Sequence, residues 1–293
     1  METSVSVLET KPTSTPSFGP QLACAEARHV VAVEHLRRMR GGAQPHLMRC
    51  SDGGYYVVKF LDNPQHPRVL VNELLGVRLA AWLGLPVPEI TVVEVPQELI
   101  DHSDDLVIEL GRSRKKLRAG LQFGSRYPGD PIETPVYDFL PDERLAEVEN
   151  LTDFLGLLVF DKWTCNTDGR QAVFYRPQGC LCYRALMIDQ GFCFNAGEWD
   201  FPDAPLRGLY SRTRVYEEVT RMESFEPWLE RLENRIGERI LDEVVSEVPL
   251  EWYEFDKDAL YRLIEKLWAR RRCVRDLILS AKNTYRHPFP NWE

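Results

Sequence analysis

Apolar and polar residues alternate along several short stretches in the first half of the chain. Residues 46–50 and 55–61 alternate on either side of a Ser-Asp-Gly-Gly turn at residues 51–54, a pattern typical of a β-hairpin. Successive side chains of a strand point to opposite faces, so Tyr56, Val58 and Phe60 share one face and Val57 and Lys59 the other. Further strands are predicted at residues 25–36, 90–95 and 120–127.

Helical spacing of apolar residues dominates the second half. An early amphipathic helix is predicted at residues 67–83, where Gly84 ends it. Later helices are predicted at residues 142–148, 151–163, 215–222, 225–232 and 236–245, with one long helix at 256–281. Since the strands come first and most helices later, we predict an α+β fold with two lobes.

The same pattern predicts where the lobes lie along the chain. Residues 1–20 are rich in Ser, Thr and Pro and are expected to be disordered. Residues 21–133 are expected to form a β-rich lobe, and residues 134–293 a mostly helical lobe.

Composition narrows the class of protein. The chain has 293 residues and a net charge of −9, which argues against a general binder of nucleic acids or anionic membranes. No apolar run approaches about 18 residues, and the N-terminus lacks the charge pattern of a signal peptide, so no membrane span is expected. The seven cysteines lack metal-site spacing and indicate reduced thiols in a cytoplasmic protein.

A polar loop and a later aspartate frame a second predicted hairpin. Asn166, Asp168 and Gln171 follow an apolar helix, and Asp189 follows the hairpin strands at residues 172–176 and 183–188. If the hairpin brings its ends together, the four side chains occupy one small volume. Phosphoryl transfer uses such groups to hold Mg²⁺ and to orient a hydroxyl. The alternative is a capped helix and an ordinary hairpin, with Asn and Asp serving the turns.

A lysine lies inside an apolar strand. Lys59 either reaches phosphate oxygens in a cleft or extends its amine to solvent from an exposed face. Glu73, in the following helix, is either its ion-pair partner or a solvated charge. Gly41, Gly42 and Gln44 form a glycine-bearing turn just before the first hairpin.

In this order, these features resemble the HipA-like kinase family. The resembling segments are GGAQPHLMRCSDGGYYVVKF (41–60), NELLGVRLAAWLGLPVPE (72–89), FDKWTCNTDGRQAVF (160–174) and MIDQGF (187–192). With their connections they cover residues 30–220. The resemblance implies a two-lobed protein-kinase-like fold and an ATP- and Mg²⁺-dependent phosphotransferase acting on a Ser/Thr-type hydroxyl of an unidentified acceptor.

The resemblance also implies a role for each matching residue. Lys59 contacts the ATP phosphates and Glu73 pairs with it. Asp168 is the catalytic base or orients the acceptor hydroxyl, and Asp189 binds Mg²⁺. Gly41, Gly42 and Gln44 begin the loop that covers the phosphates, and Asn166 and Gln171 are candidate amide ligands on the metal side.

Two positions depart from the family pattern and keep other functions open. Arg170 stands where the family usually has His, and Val173 stands where it has Asn. A pseudokinase that binds nucleotide or a partner without turnover is one alternative. A metal-dependent hydrolase using Asp161, Asp168 and Asp189 is another.

Overall fold

The computed structural model describes residues 30–169, 172–253 and 255–293. The predicted disordered segment at residues 1–20 lies outside the described residues, as do the start of the first predicted strand, Arg170 and Gln171.

Within the residues that the structure describes, ten strands are distributed over three sheets. They are β1 (Val30–Arg38), β2 (His46–Cys50), β3 (Tyr55–Lys59), β4 (Ile90–Val95), β5 (Val107–Leu110), β6 (Ser113–Lys116), β7 (Gly120–Arg126), β8 (Val136–Tyr137), β9 (Ala172–Tyr175) and β10 (Arg184–Met187). β1, β2, β3, β7 and β4 form a closed barrel in that order, antiparallel except where β1 meets β4 in parallel. β8–β10 form a small antiparallel sheet, and β5 pairs with β6.

Eight α-helices accompany these strands in the described part of the chain. They are α1 (Val69–Trp82), α2 (Gln97–His102), α3 (Asp142–Leu145), α4 (Asp153–Thr164), α5 (Glu226–Asn234), α6 (Glu238–Ser246), α7 (Lys257–Arg270) and α8 (Val274–Lys282). None of them combines the length and apolar character that crossing a bilayer requires.

The two-lobed α+β prediction is confirmed, and the first hairpin has the predicted faces. Tyr56, Val58 and Phe60 are buried in the apolar core of the barrel. Val57 and Lys59 face the opposite way, into a cavity. Apolar burial of one strand face thus directs the lysine out of the barrel, toward the helical lobe.

Helices α1 and α4 carry the larger core. Both are buried on nearly every side, and Leu75, Phe154 and Trp163 have no exposed surface. A helix that is apolar all round lies inside a protein rather than on its surface. α1 therefore lies in the interior, where it positions Glu73.

The predicted helix at residues 256–281 is wrong in one respect. α7 ends at Arg270, a 3₁₀ turn spans Arg271–Cys273, and α8 begins at Val274. Arg270, at the end of α7, and Arg271, in the turn, are buried. Arg270 pairs with Asp203 and donates to the carbonyl oxygens of Lys162 and Trp163, which satisfy its buried guanidinium.

Two further segments differ from the prediction. The helix expected at residues 215–222 is replaced by 3₁₀ turns at Thr213–Tyr216 and Met222–Phe225. Residues 113–116, where no strand is predicted, form β6. This strand pairs with β5 across a two-residue turn, and its exposed polar residues lack the apolar alternation that predicts a strand.

Candidate active site

Lys59 ends β3 at the bottom of a cavity between the barrel and the helical lobe. Its residue surface is 8% exposed, so the solvent-facing alternative is wrong. Its ammonium forms ion pairs with Glu73 of α1 and with Asp189, whose Oδ1 lies 2.6 Å from Nζ. The structure thus joins three of the predicted site residues, and the ion pair expected between Lys59 and Glu73 is confirmed.

Glu73 also holds the segment that follows Asp189. Its carboxylate accepts the backbone N–H groups of Gln190 at 3.1 Å and Gly191 at 2.8 Å. A Cβ at residue 191 would lie 3.0 Å from Oε1 of Glu73, so any larger residue there would crowd this carboxylate. One buried carboxylate therefore links the barrel lysine to the loop that carries Asp189.

The charges of this cluster stabilise one another. Burial alone disfavours the ammonium of Lys59, but the carboxylates of Asp189 and Glu73 outweigh it and raise the lysine pKa above its ordinary value. Burial raises the pKa of the Glu73 carboxyl, with Lys59 and the Gln190 N–H acting against that shift. Lys59 is therefore cationic at neutral pH.

Asp189 has the least common backbone conformation of the three. Its φ is 65°, in the left-handed region that non-glycine residues seldom adopt. Its side chain is 33% exposed, much more than that of Lys59 or Glu73. Strain of this kind persists only where the surroundings impose it, and it turns the carboxylate from the end of β10 toward the cavity.

The cavity has a volume of about 470 Å³. Gly41 and Gly42 line it together with Lys59, Glu73 and Asp189. Its apolar wall includes Val57, Val77, Phe123, Val173, Leu186 and Ile188, and its rim includes Arg37, Arg38, Arg40 and Arg126. An apolar wall with a charged end is typical of a small-molecule or cofactor site.

The rim arginines are functional candidates that sequence reasoning missed. Arg37, Arg38 and Arg40 come just before the glycine turn, and this adjacency is the signal that identifies them. Arg38 pairs with Glu109 and Arg126 pairs with Glu89.

Gln44 holds the glycine turn instead of pointing into the cavity. Its Nε2 donates to the Glu109 carbonyl oxygen at 2.8 Å, and its Oε1 accepts the Glu109 N–H at 2.9 Å. This pairing anchors the turn to β5. In the proposal below, Gln44 therefore supports the glycine turn and does not contact the nucleotide through its amide.

The loop after α4 is built by local hydrogen bonds. Cys165 ends the helix in the left-handed region, with φ 52°. Asn166 is fully buried, and its Oδ1 accepts the Asp168 N–H at 2.9 Å. Its Nδ2 contacts Sγ of Cys193 at 3.5 Å, and its amide also bonds Asp161. Asn166 thus orients the backbone of Asp168, and its role as an amide ligand on the metal side stays a prediction.

This loop packs against the segment that follows Asp189. Thr167 donates its N–H to the Phe192 carbonyl oxygen at 3.2 Å, and Phe194 donates its N–H to Thr164 at 2.6 Å. Asp168 is partly exposed beside them. The two loops at the ends of the second hairpin therefore lie against each other, as predicted. Gln171 lies outside the described residues.

Asp161 lies under the loop. It is buried, and a Cβ at Gly208 would lie 2.6 Å from its Cβ. Burial raises the pKa of Asp161 well above its ordinary value, and the nearby charge of Asp168 adds to the shift. Within the described residues, no group of three or more His, Cys, Asp and Glu side chains could hold a metal by itself. The aspartates of the hydrolase alternative are not assembled into such a site.

The remaining donors fit a metal that is shared with a ligand. Mg²⁺ prefers carboxylate oxygen, keeps several waters and is commonly held by one or two carboxylates together with substrate phosphates. Asp189 supplies a carboxylate at the cavity edge, beside a lysine that suits phosphate oxygens. The cavity can therefore accept a phosphate-bearing ligand with a divalent cation.

Known proteins of similar structure are kinases. The H. pylori proinflammatory kinase CtkA aligns over 85% of this chain and 96% of its own, with a TM-score of 0.53 and 13% identity. Shewanella oneidensis MR-1 HipA, solved with HipB and operator DNA, aligns over 90% and 76%, with a TM-score of 0.46 and 12% identity. The Golgi casein kinase with Mn/ADP bound aligns over 88% and 74%, with a TM-score of 0.44 and 12% identity. At these identities the alignments indicate a similar fold and nothing more. The argument for that fold rests on the CtkA alignment, whose TM-score is 0.53.

Sequence comparison gives a family match over part of the chain. No curated protein matches the sequence at a significant level. A family model described as HipA-like kinase matches residues 32–175, which include the barrel, α1, the loop at Asp168 and β9. This match covers just under half of the chain, and over these residues the chain is similar to the HipA-like kinase family.

Proposed function

We propose that the protein is an ATP- and Mg²⁺-dependent kinase that transfers a phosphoryl group to a Ser/Thr-type hydroxyl. The observation that carries the proposal is the convergence of Lys59, Glu73 and Asp189 at the closed end of a cavity beside a glycine turn. A kinase-type phosphotransferase is what the family and the fold support. ATP, Mg²⁺ and the hydroxyl acceptor are the proposed refinements.

The nucleotide enters with its base against the apolar wall and its phosphates toward Lys59. Gly41 and Gly42 allow the turn to approach the phosphates closely, while Gln44 anchors the turn to β5. Glu73 orients the lysine. A lysine ammonium acts on phosphate oxygens as a point charge, so its position decides how well it neutralises them.

Asp189 is the proposed metal ligand. Asp189 would hold Mg²⁺, which would supply positive charge to neutralise the phosphates during transfer. Asp189 turns its carboxylate to the cavity through its left-handed backbone, and it holds Lys59 until phosphates arrive. Gln171 stays a candidate second ligand on the grounds of its position in the sequence.

Asp168 is the proposed catalytic carboxylate. It accepts a hydrogen bond from the acceptor hydroxyl and aligns that oxygen with the terminal phosphorus. Catalysis then consists mostly of positioning and charge stabilisation. Asn166 supports this role through the Asp168 N–H.

The proposal is tested by nucleotide binding followed by turnover. We expect ATP with Mg²⁺ to raise the melting temperature of the protein, since a ligand that binds only the folded state stabilises it. We also expect slow ATP consumption, with phosphate appearing on protein Ser or Thr residues detected by mass spectrometry. The absence of a shift with any nucleotide at millimolar concentration contradicts the proposal.

One observation favours a second candidate function, a pseudokinase that binds nucleotide without turnover. Val173 stands where the family has a metal-side Asn, and the structure places this valine in the apolar cavity wall. Nucleotide-dependent stabilisation without ATP consumption, for any acceptor tried, identifies this alternative.

For location we keep the cytoplasm as a proposal, supported by six described cysteines that are all free.

A further inference from the structure

A single buried amide holds the segment that follows Asp189. Asn72 of α1 has no exposed surface. Its Nδ2 lies 2.9 Å from the carbonyl oxygen of Gly191, 3.0 Å from that of Cys193 and 2.8 Å from that of Ala196. An amide nitrogen carries two hydrogens, so three carbonyls share them. These contacts span 119 to 124 positions of the chain and fix the segment at three points.

The other end of the same amide is also fixed. Trp199 donates its indole N–H to Oδ1 of Asn72 at 2.7 Å. An indole nitrogen only donates, so this bond decides which end of the amide faces the three carbonyls. Trp199 is itself held by Arg68, whose guanidinium lies 4.1 Å from the ring centroid.

The segment needs such support because its backbone is strained. Phe194, Asn195 and Ala196 have φ of 60°, 56° and 56°, and Asp189 and Trp199 are also left-handed. Each such non-glycine residue costs of order 1 kcal/mol or more and persists only when its surroundings impose it. Three consecutive residues in this region do not hold the conformation by themselves.

Asn72 and Glu73 both form hydrogen bonds to the backbone of Gly191, from opposite sides. Asn72 donates to the Gly191 carbonyl oxygen, while Glu73 accepts the Gly191 N–H. Gly191 lies two residues after Asp189, and His66 also contacts its carbonyl oxygen at 2.9 Å. Neighbouring residues of α1 thus set the lysine and the loop together.

We infer that Asn72, oriented by Trp199, is the positioning residue that holds residues 189–199 in the conformation in which Asp189 meets Lys59. It acts through the loop and touches neither nucleotide nor metal. The alternative is that Asn72 is an ordinary core residue, whose loss lowers the stability of the whole protein and not of this segment in particular. The inference rests on the proposed function only for its effect on metal binding, because the loop conformation is a property of the protein without ligand.

Three variants separate these roles. Asn72→Asp removes the donors and places a carboxylate against three carbonyls. Trp199→Phe removes only the indole donor, and it decides the question if the first variant fails to fold. Trp252→Phe is the matched control, because Trp252 is as deeply buried as Trp199 and donates its indole N–H to the Leu121 carbonyl oxygen at 2.9 Å, on the barrel.

The first measurement uses no ligand. Hydrogen exchange of the full chain, followed by mass spectrometry, reports local opening of peptides within residues 189–199. We expect exchange there to rise by about tenfold or more in Asn72→Asp and about fivefold in Trp199→Phe, the factor for one lost hydrogen bond. Trp252→Phe should leave these peptides unchanged while lowering the melting temperature.

The second measurement is the Mg²⁺ concentration that gives half of the ATP-dependent thermal shift. We expect it to rise by up to about fivefold in Trp199→Phe, the factor for one lost hydrogen bond, and to stay at the wild-type value in Trp252→Phe. Unchanged exchange at residues 189–199 in Trp199→Phe overturns the inference, as does an equal change in the control. If exchange rises but the wild type shows no nucleotide response, the loop role stands and the proposed kinase function fails.

Discussion

The two sides of the cavity are built in different ways. On the lysine side, Lys59 meets Glu73 across 14 positions of the chain and Asp189 across 130. On the loop side, Asn166 holds Asp168 across only two positions. The first side joins both lobes through buried charges, whereas the second is a helix end followed by a short turn.

Because of this difference, we expect the two sides of the cavity to have different functions. Contacts across the lobes exist only when the lobes are docked, so the lysine side should govern nucleotide affinity and folding stability together. The carboxylate of Asp168 lies on a turn, whereas the ion pair of Lys59 with Asp189 joins the two lobes, so changes in the Asp168 carboxylate should affect chemistry more than binding. The predictions below test this division, in descending order of effect.

The largest effect is expected for Lys59→Met. It removes the proposed phosphate contact and leaves Glu73 buried without its cation, which raises the pKa of that carboxyl further. We expect phosphotransfer to fall at least about 1,000-fold and the ATP-dependent thermal shift to disappear. Radiolabelled ATP turnover and thermal melting measure the two losses.

Lys162→Met is the matched control for the lost amine. Lys162 is also buried, and its Nζ donates to the Pro205 carbonyl oxygen at 2.7 Å. Burial lowers its pKa to about 8. The variant should lose stability and still respond to ATP. If it loses the ATP response as well, buried charge rather than position explains the Lys59 result.

Asp168→Asn should separate chemistry from binding. The amide keeps the size of the side chain but cannot accept a proton, so kcat should fall by about 100- to 10,000-fold. The KM for ATP and the thermal shift should stay within about twofold of wild type, because the lysine side is intact. A variant with full phosphotransfer would remove Asp168 from its assigned role.

The barrel that carries the lysine side should respond to acid. His46 bonds His35 with 3.0 Å between the ring nitrogens, and burial, then the charges of His35 and Arg38, lower the pKa of His46 from 6.5 to about 4. Between these values the unfolded chain binds more protons, so stability falls as pH falls through this window. We expect a loss of about 2 kcal/mol by pH 4, measured by urea unfolding. His46→Gln should flatten this profile, and an unchanged slope would exclude His46 as its source.

The smallest effect is expected for Gln44→Leu. It removes two hydrogen bonds to Glu109 and so loosens the glycine turn, at a cost of about 1–2 kcal/mol. We expect the KM for ATP to rise a few-fold with little change in kcat, as measured by steady-state kinetics. A large fall in kcat would instead indicate direct contact between Gln44 and the phosphates.

Sequence patterns predicted most of this architecture. The alternation of residues 55–61 identified the face of Lys59, and helical spacing identified α1 and α4. They failed in at least two places. The strand β6 is exposed along its length and so lacks the apolar alternation that indicates a strand. The 3₁₀ turn at Arg271–Cys273 interrupts a pattern that predicts one helix.

The candidate site was predictable to a similar degree. Family resemblance identified Lys59, Glu73, Asp168 and Asp189, and the structure joins three of them in one cluster. The resemblance could not show that the Gln44 amide bonds to the Glu109 backbone or that Asn166 is buried. Asn72 looked like an ordinary helix residue, because its carbonyl partners begin at Gly191.

By itself, the sequence determined the order of the main strands and helices, the buried face of β3 and the candidate residues of the site. Each of these depends on residues within a few positions of one another. Only the tertiary structure decided that Lys59 meets Asp189, that Asn72 holds the loop behind it and that Val173 lies in the cavity wall. Such contacts arise when separate segments are buried together, and no local period encodes which segments will meet.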